Sequence, residues 1–215
     1  MEARRQCLLD AYQITECPNC RKTLISEGPG GIQQILCNLH NEGGLQENLD
    51  ILPMLTEESY LKAYPDERKA RAFLEFCHAG DAQAVAEMIK FSKEAEEEDE
   101  DEHGPSMEQV YRYQDPIGNM QSGLHAAVQS GSREVALLLL LMASELPLTE
   151  FPAEVFQEAE TMGIMREEGA ESTGLADIRT LRDAEGKTAE DLAREMLAEG
   201  NAIWNGWIGN GRLAR

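Results

Sequence analysis

The chain has 215 residues, of which 42% are hydrophobic and 6% aromatic, so it can form one packed domain with a small additional module. Its 19 basic and 40 acidic residues give a net charge of -21, which argues against binding to nucleic acid or to an anionic membrane. This charge favours a partner with a basic surface, and solubility alone is the other explanation for it.

The ends and the apolar runs of the chain indicate an intracellular protein. Residues 1–10 do not have the long apolar stretch of a secretory signal, and the longest apolar run, residues 135–143, is about half of a membrane span. We therefore expect the protein in the cytoplasm, the nucleus or both. In such a reducing compartment, its five cysteines are expected to be free thiols or metal ligands.

Residues 1–45 contain a cluster of cysteines with the spacing of a zinc site. Cys17-Pro-Asn-Cys20 is followed after sixteen residues by Cys37-Asn-Leu-His40, and each pair can direct two ligands at one tetrahedral Zn²⁺. The strand-like segments 22–26 and 32–36, separated by a Gly-rich turn at 27–31, predict a β-hairpin between the pairs. We therefore predict a structural zinc knuckle, similar to a zinc ribbon or treble clef, with Cys17, Cys20, Cys37 and His40 as ligands.

Two other interpretations of this cluster stay open. In the first, residues 8–11 and 20–25 form a degenerate helical pair and the cysteines are incidental. In the second, Cys17 and Cys20 are a redox pair, although the βαβ context of such motifs is missing from the sequence.

The middle of the chain alternates between helical and polar segments. Residues 46–66 carry two prolines and are expected to be a connection with a short helix, and residues 67–93 have a helical pattern. Residues 94–102 contain eight carboxylates in nine positions. Because these charges repel one another, we predict a solvated or disordered loop over residues 94–105.

Residues 110–146 contain the clearest helix–turn–helix pattern. Asp115-Pro-Ile-Gly118 predicts a turn in which Gly118 takes a positive φ. Ser122 can cap the following helix, and Gly131 can end that helix in a left-handed conformation. Residues 134–140 are apolar on nearly all sides, which predicts a buried second helix.

Two further segments repeat this pattern. Residues 183–193 read as a turn and a helix, and Thr188 follows Ser122 by 66 residues, or two repeats of 33. This spacing predicts a degenerate repeat between them, with its first helix at residues 154–163 and a poorly supported second helix. Residues 73–89 resemble an earlier unit, separated from the central one by the acidic loop.

Together these segments resemble the ankyrin repeat, with Ser122-Gly123-Leu124-His125 in the place of its Thr-Pro-Leu-His. The resemblance covers residues 67–208, with the acidic loop 94–105 inserted and residues 209–215 as a tail. It implies a mainly α solenoid of three to four helix–turn–helix repeats, beside the small β-hairpin module. It also implies that His125 makes backbone hydrogen bonds that brace neighbouring repeats. An irregular helical domain is the alternative.

The resemblance implies a non-enzymatic adaptor that binds another protein, and the sequence contains no phosphate loop, nucleophile elbow or His-Glu-x-x-His motif. The family binds through a concave surface of turns and first helices. The corresponding residues here are Asp115, Asn119, Met120, Gln121, Arg182, Asp183, Glu185 and Lys187.

Two alternative functions stay open. One is an escort for a basic client such as a ribosomal protein or a histone. The weaker one is a zinc-dependent adaptor similar to a ubiquitin ligase, which would need about eight metal ligands where this cluster offers four. We expect no nucleic-acid or membrane partner for any of these functions.

Overall fold

The computed structural model describes residues 16, 17, 19–98, 104–164 and 176–215. The chain is mainly helical, with small two-stranded sheets near its N-terminus. It divides into two compact units, Met1–Pro65 and Asp66–Arg215. Within the described ranges, no helix is both long and apolar enough to cross a membrane.

The first unit contains two antiparallel hairpins. Strands β1 (Ser26–Glu27) and β2 (Gln33–Gln34) pair around a short 3-10 turn, which confirms the predicted hairpin in a shorter form. Strands β3 (Leu36–Asn41) and β4 (Gly44–Asp50) form a second hairpin that the sequence did not predict. The reason is that residues 44–50 include no β-branched or aromatic side chain, and such residues are the usual signal of a strand.

An extra residue in β4 shifts the register of the second hairpin between the pairs Cys37–Leu49 and Leu39–Gln46. Asn48 lies at this bulge with a φ of 56°, and its N–H donates to the side-chain oxygen of Asn38 at 3.0 Å. The chain then enters α1 (Leu52–Ala63), which occupies most of the segment expected to be a connection.

The second unit is built from helix pairs. Helices α2 (Arg68–Ala79) and α3 (Ala82–Glu98) form one pair, and α4 (Met107–Tyr111) follows. Helices α5 (Gly123–Ser130) and α6 (Arg133–Ala143) form another pair, followed by α7 (Ala153–Thr161) and α8 (Ala189–Ala198). Gly80 and Gly131 end the first helix of each pair with φ values of 68° and 74°, a conformation that favours glycine.

The first helices contact one another, and so do the second helices. Helix α5 contacts α2 on one side and α8 on the other, while α3 contacts α6. Phe73, Leu124 and Leu139 are among the fully buried side chains between these helices. Helix α5 is therefore at the centre of the second unit.

Helix α7 corresponds to the first helix of the predicted degenerate repeat, but it does not lie where the spacing suggested. Helix α5 contacts α8 directly, and α7 contacts α6. No helix pair in the described residues therefore separates α5 from α8, and the distance of 66 residues does not correspond to two stacked repeats. The predicted second helix, at residues 164–169, lies almost entirely outside the described residues.

The C-terminal residues pack into the second unit, whereas the sequence predicted a tail over residues 209–215. After α8 the chain forms a 3-10 turn, Ala202–Trp204, in place of a second α-helix. The Trp204 indole N–H donates to the Val128 carbonyl at 3.0 Å, and Leu213 is fully buried. The Arg179 guanidinium also donates to the Gly211 carbonyl at 2.6 Å. Because the segment is rich in glycine, its sequence provided no indication that Leu213 is buried.

Candidate functional site

The turns that precede α5 and α8 lie side by side, and together they contain all eight residues of the predicted binding face. We call residues 115–121 and 182–187 the paired turns. The Ala184 N–H donates to the Asn119 carbonyl at 2.9 Å, and the Gln114 side-chain amide donates to the Arg182 carbonyl at 2.6 Å. Two segments that are distant in the sequence thus form one continuous surface.

Asp115 and Asp183 are buried, and each carboxylate closes its own turn. Asp115 accepts a hydrogen bond from the Ile117 N–H at 3.0 Å. Asp183 accepts hydrogen bonds from the N–H groups of Glu185 and Lys187, both at 2.9 Å. These are the short-range bonds by which aspartate stabilises turns. Two of the eight predicted binding residues therefore hold the surface in shape and are not accessible to a partner.

The two turns use their glycines differently, and the prediction for Gly118 was wrong. Gly186 takes a φ of 79°, whereas in the first turn the positive φ values belong to Asn119 (62°) and Met120 (55°). Gly118 is needed for another reason: a Cβ at this position would lie 2.1 Å from a carboxylate oxygen of Asp115. Asn119 and Met120, which follow Gly118, thus take the left-handed conformation in its place.

An ion pair connects α2 to the paired turns. The Arg71 guanidinium lies 2.6 Å from a carboxylate oxygen of Asp115, and both side chains are only 7% exposed. The sequence offered no signal for this contact, because Arg71 lies within a periodic helical segment and its partner is distant in the chain.

His125 connects α5 to the turn before α8. Its ring is fully buried, and Nδ1 accepts from the Ser122 N–H at 3.3 Å. The opposite nitrogen, Nε2, therefore carries the proton and donates to the Lys187 carbonyl at 3.1 Å. Burial lowers the pKa of His125 despite opposing contributions from the Lys187 carbonyl and Asp183, so the ring is neutral at pH 7. This is the backbone bracing expected at the position.

Asp191 takes the corresponding place in α8. Its carboxylate accepts from the Thr188 N–H at 3.0 Å and from the Thr188 hydroxyl at 2.8 Å. These hydrogen bonds, the backbone one first, lower the pKa of Asp191. The Asp191 N–H also donates to the Thr188 hydroxyl, which completes a capping box at the start of α8.

The exposed charges of the paired turns largely neutralise one another. Lys187 lies 2.8 Å from carboxylate oxygens of both Glu185 and Glu195, which raise its pKa. The Arg182 guanidinium donates to the Gly186 carbonyl at 2.6 Å. Helix α5, which is the first helix of its pair, adds little to this surface because residues 123–128 are all buried. A partner would thus meet the turns themselves and not the side of α5.

The acidic segment is only partly a loop. Helix α3 runs to Glu98 and so includes the first five residues of the predicted loop, while residues 99–103 lie outside the described part of the chain. The physical reason is that glutamate and alanine are good helix formers, and this preference continues the helix despite the charge.

The structure brings together only part of the predicted zinc site. Cys17 accepts hydrogen bonds from the backbone amide of Cys20, from that of Asn19 and from the Cys20 side chain, and these lower the pKa of its thiol. Cys37 and His40 lie three positions apart on β3, where side chains alternate between faces. Among the residues that the structure describes, no three His, Cys, Asp or Glu side chains are gathered for a metal ion.

The alternative of a helical pair fails in its second half, because residues 20–25 form no helix, and residues 8–11 lie outside the described ranges. Comparison of the chain with models of known protein families, with curated proteins and with solved structures gives no match. Its function is therefore inferred from its own residues and contacts.

Proposed function

We propose that the chain is a non-enzymatic protein-binding module whose helix pairs stack as in ankyrin repeats. The packing of α2, α5 and α8 in one row and of α3 and α6 in a second row supports this proposal. The observation that carries it is the pairing of the two turns through Asn119, Ala184 and the bond from His125 to Lys187. These contacts join the two turns into one solvent-accessible surface that is built from loops, where binding residues are commonly found.

The partner that we propose has a basic surface, because the chain carries a net charge of -21. An adaptor would bind mainly through the paired turns, whose exposed charges are balanced. An escort for a basic client would bind mainly through the acidic surface, and its affinity would depend strongly on salt. The hydrogen bonds that join the paired turns support the first function, and the net charge alone supports the second.

Changing Arg182 and Glu185 together to alanine is expected to weaken partner binding at least about ten-fold, because both side chains are exposed on the paired turns. Partners are captured on the full chain, identified by mass spectrometry and titrated by calorimetry. Thermal unfolding should be unchanged, since neither side chain is buried. The matched control is the double change of Glu58 and Lys62 to alanine, which also removes one exposed carboxylate and one exposed cation and should leave affinity within about two-fold.

The dependence of binding affinity on salt concentration distinguishes the two functions. An escort should lose more than about ten-fold in affinity between roughly 50 and 500 mM salt, whereas an adaptor that uses the paired turns should lose much less. Equal affinities for the turn variant and the unchanged chain would reject the paired turns as the binding surface.

We also propose that the first unit binds a structural zinc ion through Cys17, Cys20, Cys37 and His40. Within the described part of residues 16–50, Ile35 is the one buried apolar side chain, while Ile32, Leu36 and Leu45 are exposed. A module of this size with so small a core usually needs a metal or disulfides for stability. The thiolate that zinc requires is favoured at Cys17 by its hydrogen bonds. Because Cys37 and His40 occupy positions on opposite faces of β3, a zinc ion could be bound by both only after a local rearrangement of that strand.

Metal analysis of the purified chain is expected to find about one zinc per molecule. Cys37→Ser should remove most of it, because a tetrahedral site with three protein ligands is weaker than a closed one. Cys77→Ala is the matched control: Cys77 is buried in the second unit, its pKa is raised to about 12, and its loss should leave the zinc content unchanged. A zinc content below about 0.2 per molecule in the unchanged chain would reject the proposal.

A further inference from the structure

An open apolar groove lies between α2 and α3, away from the paired turns. Its volume is about 410 Å³, and its lining combines the apolar side chains of Phe76, Ala84, Met88 and Phe91 with the polar ones of Lys69, Glu87 and Ser92. Phe91 is 63% exposed, an unusual state for a phenylalanine on a helix that also packs into the core. The volume is within the range of clefts that bind ligands or side chains of a partner.

The groove follows the periodicity of the two helices. On α3 the lining positions 84, 87, 88, 91 and 92 are spaced by three and four residues, so they form one continuous stripe. On α2 the lining positions 69 and 76 are seven residues apart, which also places them on one face. A second helix or an extended segment could therefore lie along the groove and insert apolar side chains at regular intervals.

The negative charge at the end of α3, next to the groove, favours an occupant that carries positive charge. Helix α3 continues for six residues after Ser92, and four of these, at positions 94 and 96–98, are glutamates. Within the groove Lys69 and Glu87 offset each other's charge, so the excess negative charge beside it comes from the acidic end of α3. This order, apolar first and acidic next, complements a segment that carries large apolar side chains beside lysines or arginines.

The same charge disfavours a second copy of this chain as the occupant. In a two-fold symmetric contact through the groove, each α3 would bring its acidic end to the other copy, and both chains carry a net charge of -21. Repulsion between them would oppose the contact. A basic segment of another protein would instead be attracted by the negative charge that repels a second copy.

We propose that the α2–α3 groove binds an amphipathic basic segment of a partner protein, with its apolar side chains against Phe76, Met88 and Phe91 and its cations towards the acidic end of α3. This depends on the proposed protein-binding function and adds to it a second contact surface with a defined ligand chemistry. Phe91 is the central contact, because large aromatic side chains dominate the energy of such interfaces.

The probe for this groove is a fluorescent synthetic peptide with leucines at helical spacing and lysines at the other positions, measured by fluorescence polarisation with the full chain. We expect Phe91→Ser to weaken binding at least about ten-fold. Met54→Ser is the matched control, since Met54 is also 63% exposed on a helix, and it should change the affinity by less than about two-fold. Changing the glutamates at 94 and 96–98 to glutamine should weaken binding at low salt by at least about five-fold.

Three outcomes would overturn the proposal. The first is equal loss of binding for Phe91→Ser and Met54→Ser, which would indicate non-specific adsorption. The second is equal binding of a control peptide in which every lysine is replaced by glutamate, which would remove the role of charge. The third is a dimer in sedimentation experiments that Phe91→Ser dissociates, which would identify a second copy as the occupant. If the groove fails while Arg182 and Glu185 still affect a captured partner, the proposed function survives without this surface.

Discussion

Replacing Trp204 with alanine is expected to lower the free energy of unfolding by about 3–5 kcal/mol, the range found for large aromatic residues removed from a core. The Trp204 side chain is fully buried, and its ring lies 5.1 Å from that of Trp207. Its N–H also donates to the Val128 carbonyl at the end of α5, so the substitution leaves a cavity and removes one of two donors to that carbonyl, the other being the Gly131 N–H at 3.1 Å. Urea denaturation followed by circular dichroism would measure the loss.

Ile203→Ala is the matched control for this experiment. Ile203 is the adjacent apolar residue in the same 3-10 turn, but it is 39% exposed, so its truncation should cost less than about 1.5 kcal/mol. Equal effects of the two substitutions would mean that the turn contributes only through its local conformation. A loss below about 1 kcal/mol for Trp204→Ala would show that the C-terminal residues are not part of the cooperative unit.

Trp204 also illustrates which features the sequence could not predict. The helix pairs were predictable because their signals are local: Gly80 and Gly131 follow the helices that they end, and Ser122 and His125 lie within one turn of each other. The contact of Trp204 with Val128 joins residues that are 76 positions apart, and no periodic pattern reports such a contact. The sequence likewise predicted a tail over residues 209–215, although Leu213 in that segment is fully buried.

The candidate surface was predictable in its location and not in its details. The turn residues were found because Asp-x-x-Gly occurs before both α5 and α8. Repetition alone could not reveal that Asp115 and Asp183 face inward, since a carboxylate that closes a turn and one that binds a partner have the same sequence pattern. The spacing of 66 residues between Ser122 and Thr188 was also ambiguous. The residues between α6 and α8 account for it equally well whether they form a repeat between α5 and α8 or pack against α6.

The ion pair between Arg71 and Asp115 gives the second large expected effect. Arg71→Met should lower the free energy of unfolding by about 3–5 kcal/mol, because it leaves the Asp115 carboxylate buried without its cation. The loss should be much larger than for Lys62→Met, which breaks an exposed ion pair with Glu58 and should leave the stability nearly unchanged. Both variants would be measured by urea denaturation.

The decisive comparison is the double variant Arg71→Met with Asp115→Asn. We expect each single change to lower the free energy of unfolding because it leaves the other charge buried without a partner. In that case the loss for the double variant should be smaller than the sum of the two single losses by about 1–3 kcal/mol. Additive losses would mean that the two side chains stabilise α2 and the turn independently. Since the amide oxygen that Asp115→Asn introduces can still accept from the Ile117 N–H, the double variant keeps this hydrogen bond of the turn. The coupling between the two changes therefore measures how firmly α2 holds the paired turns in position.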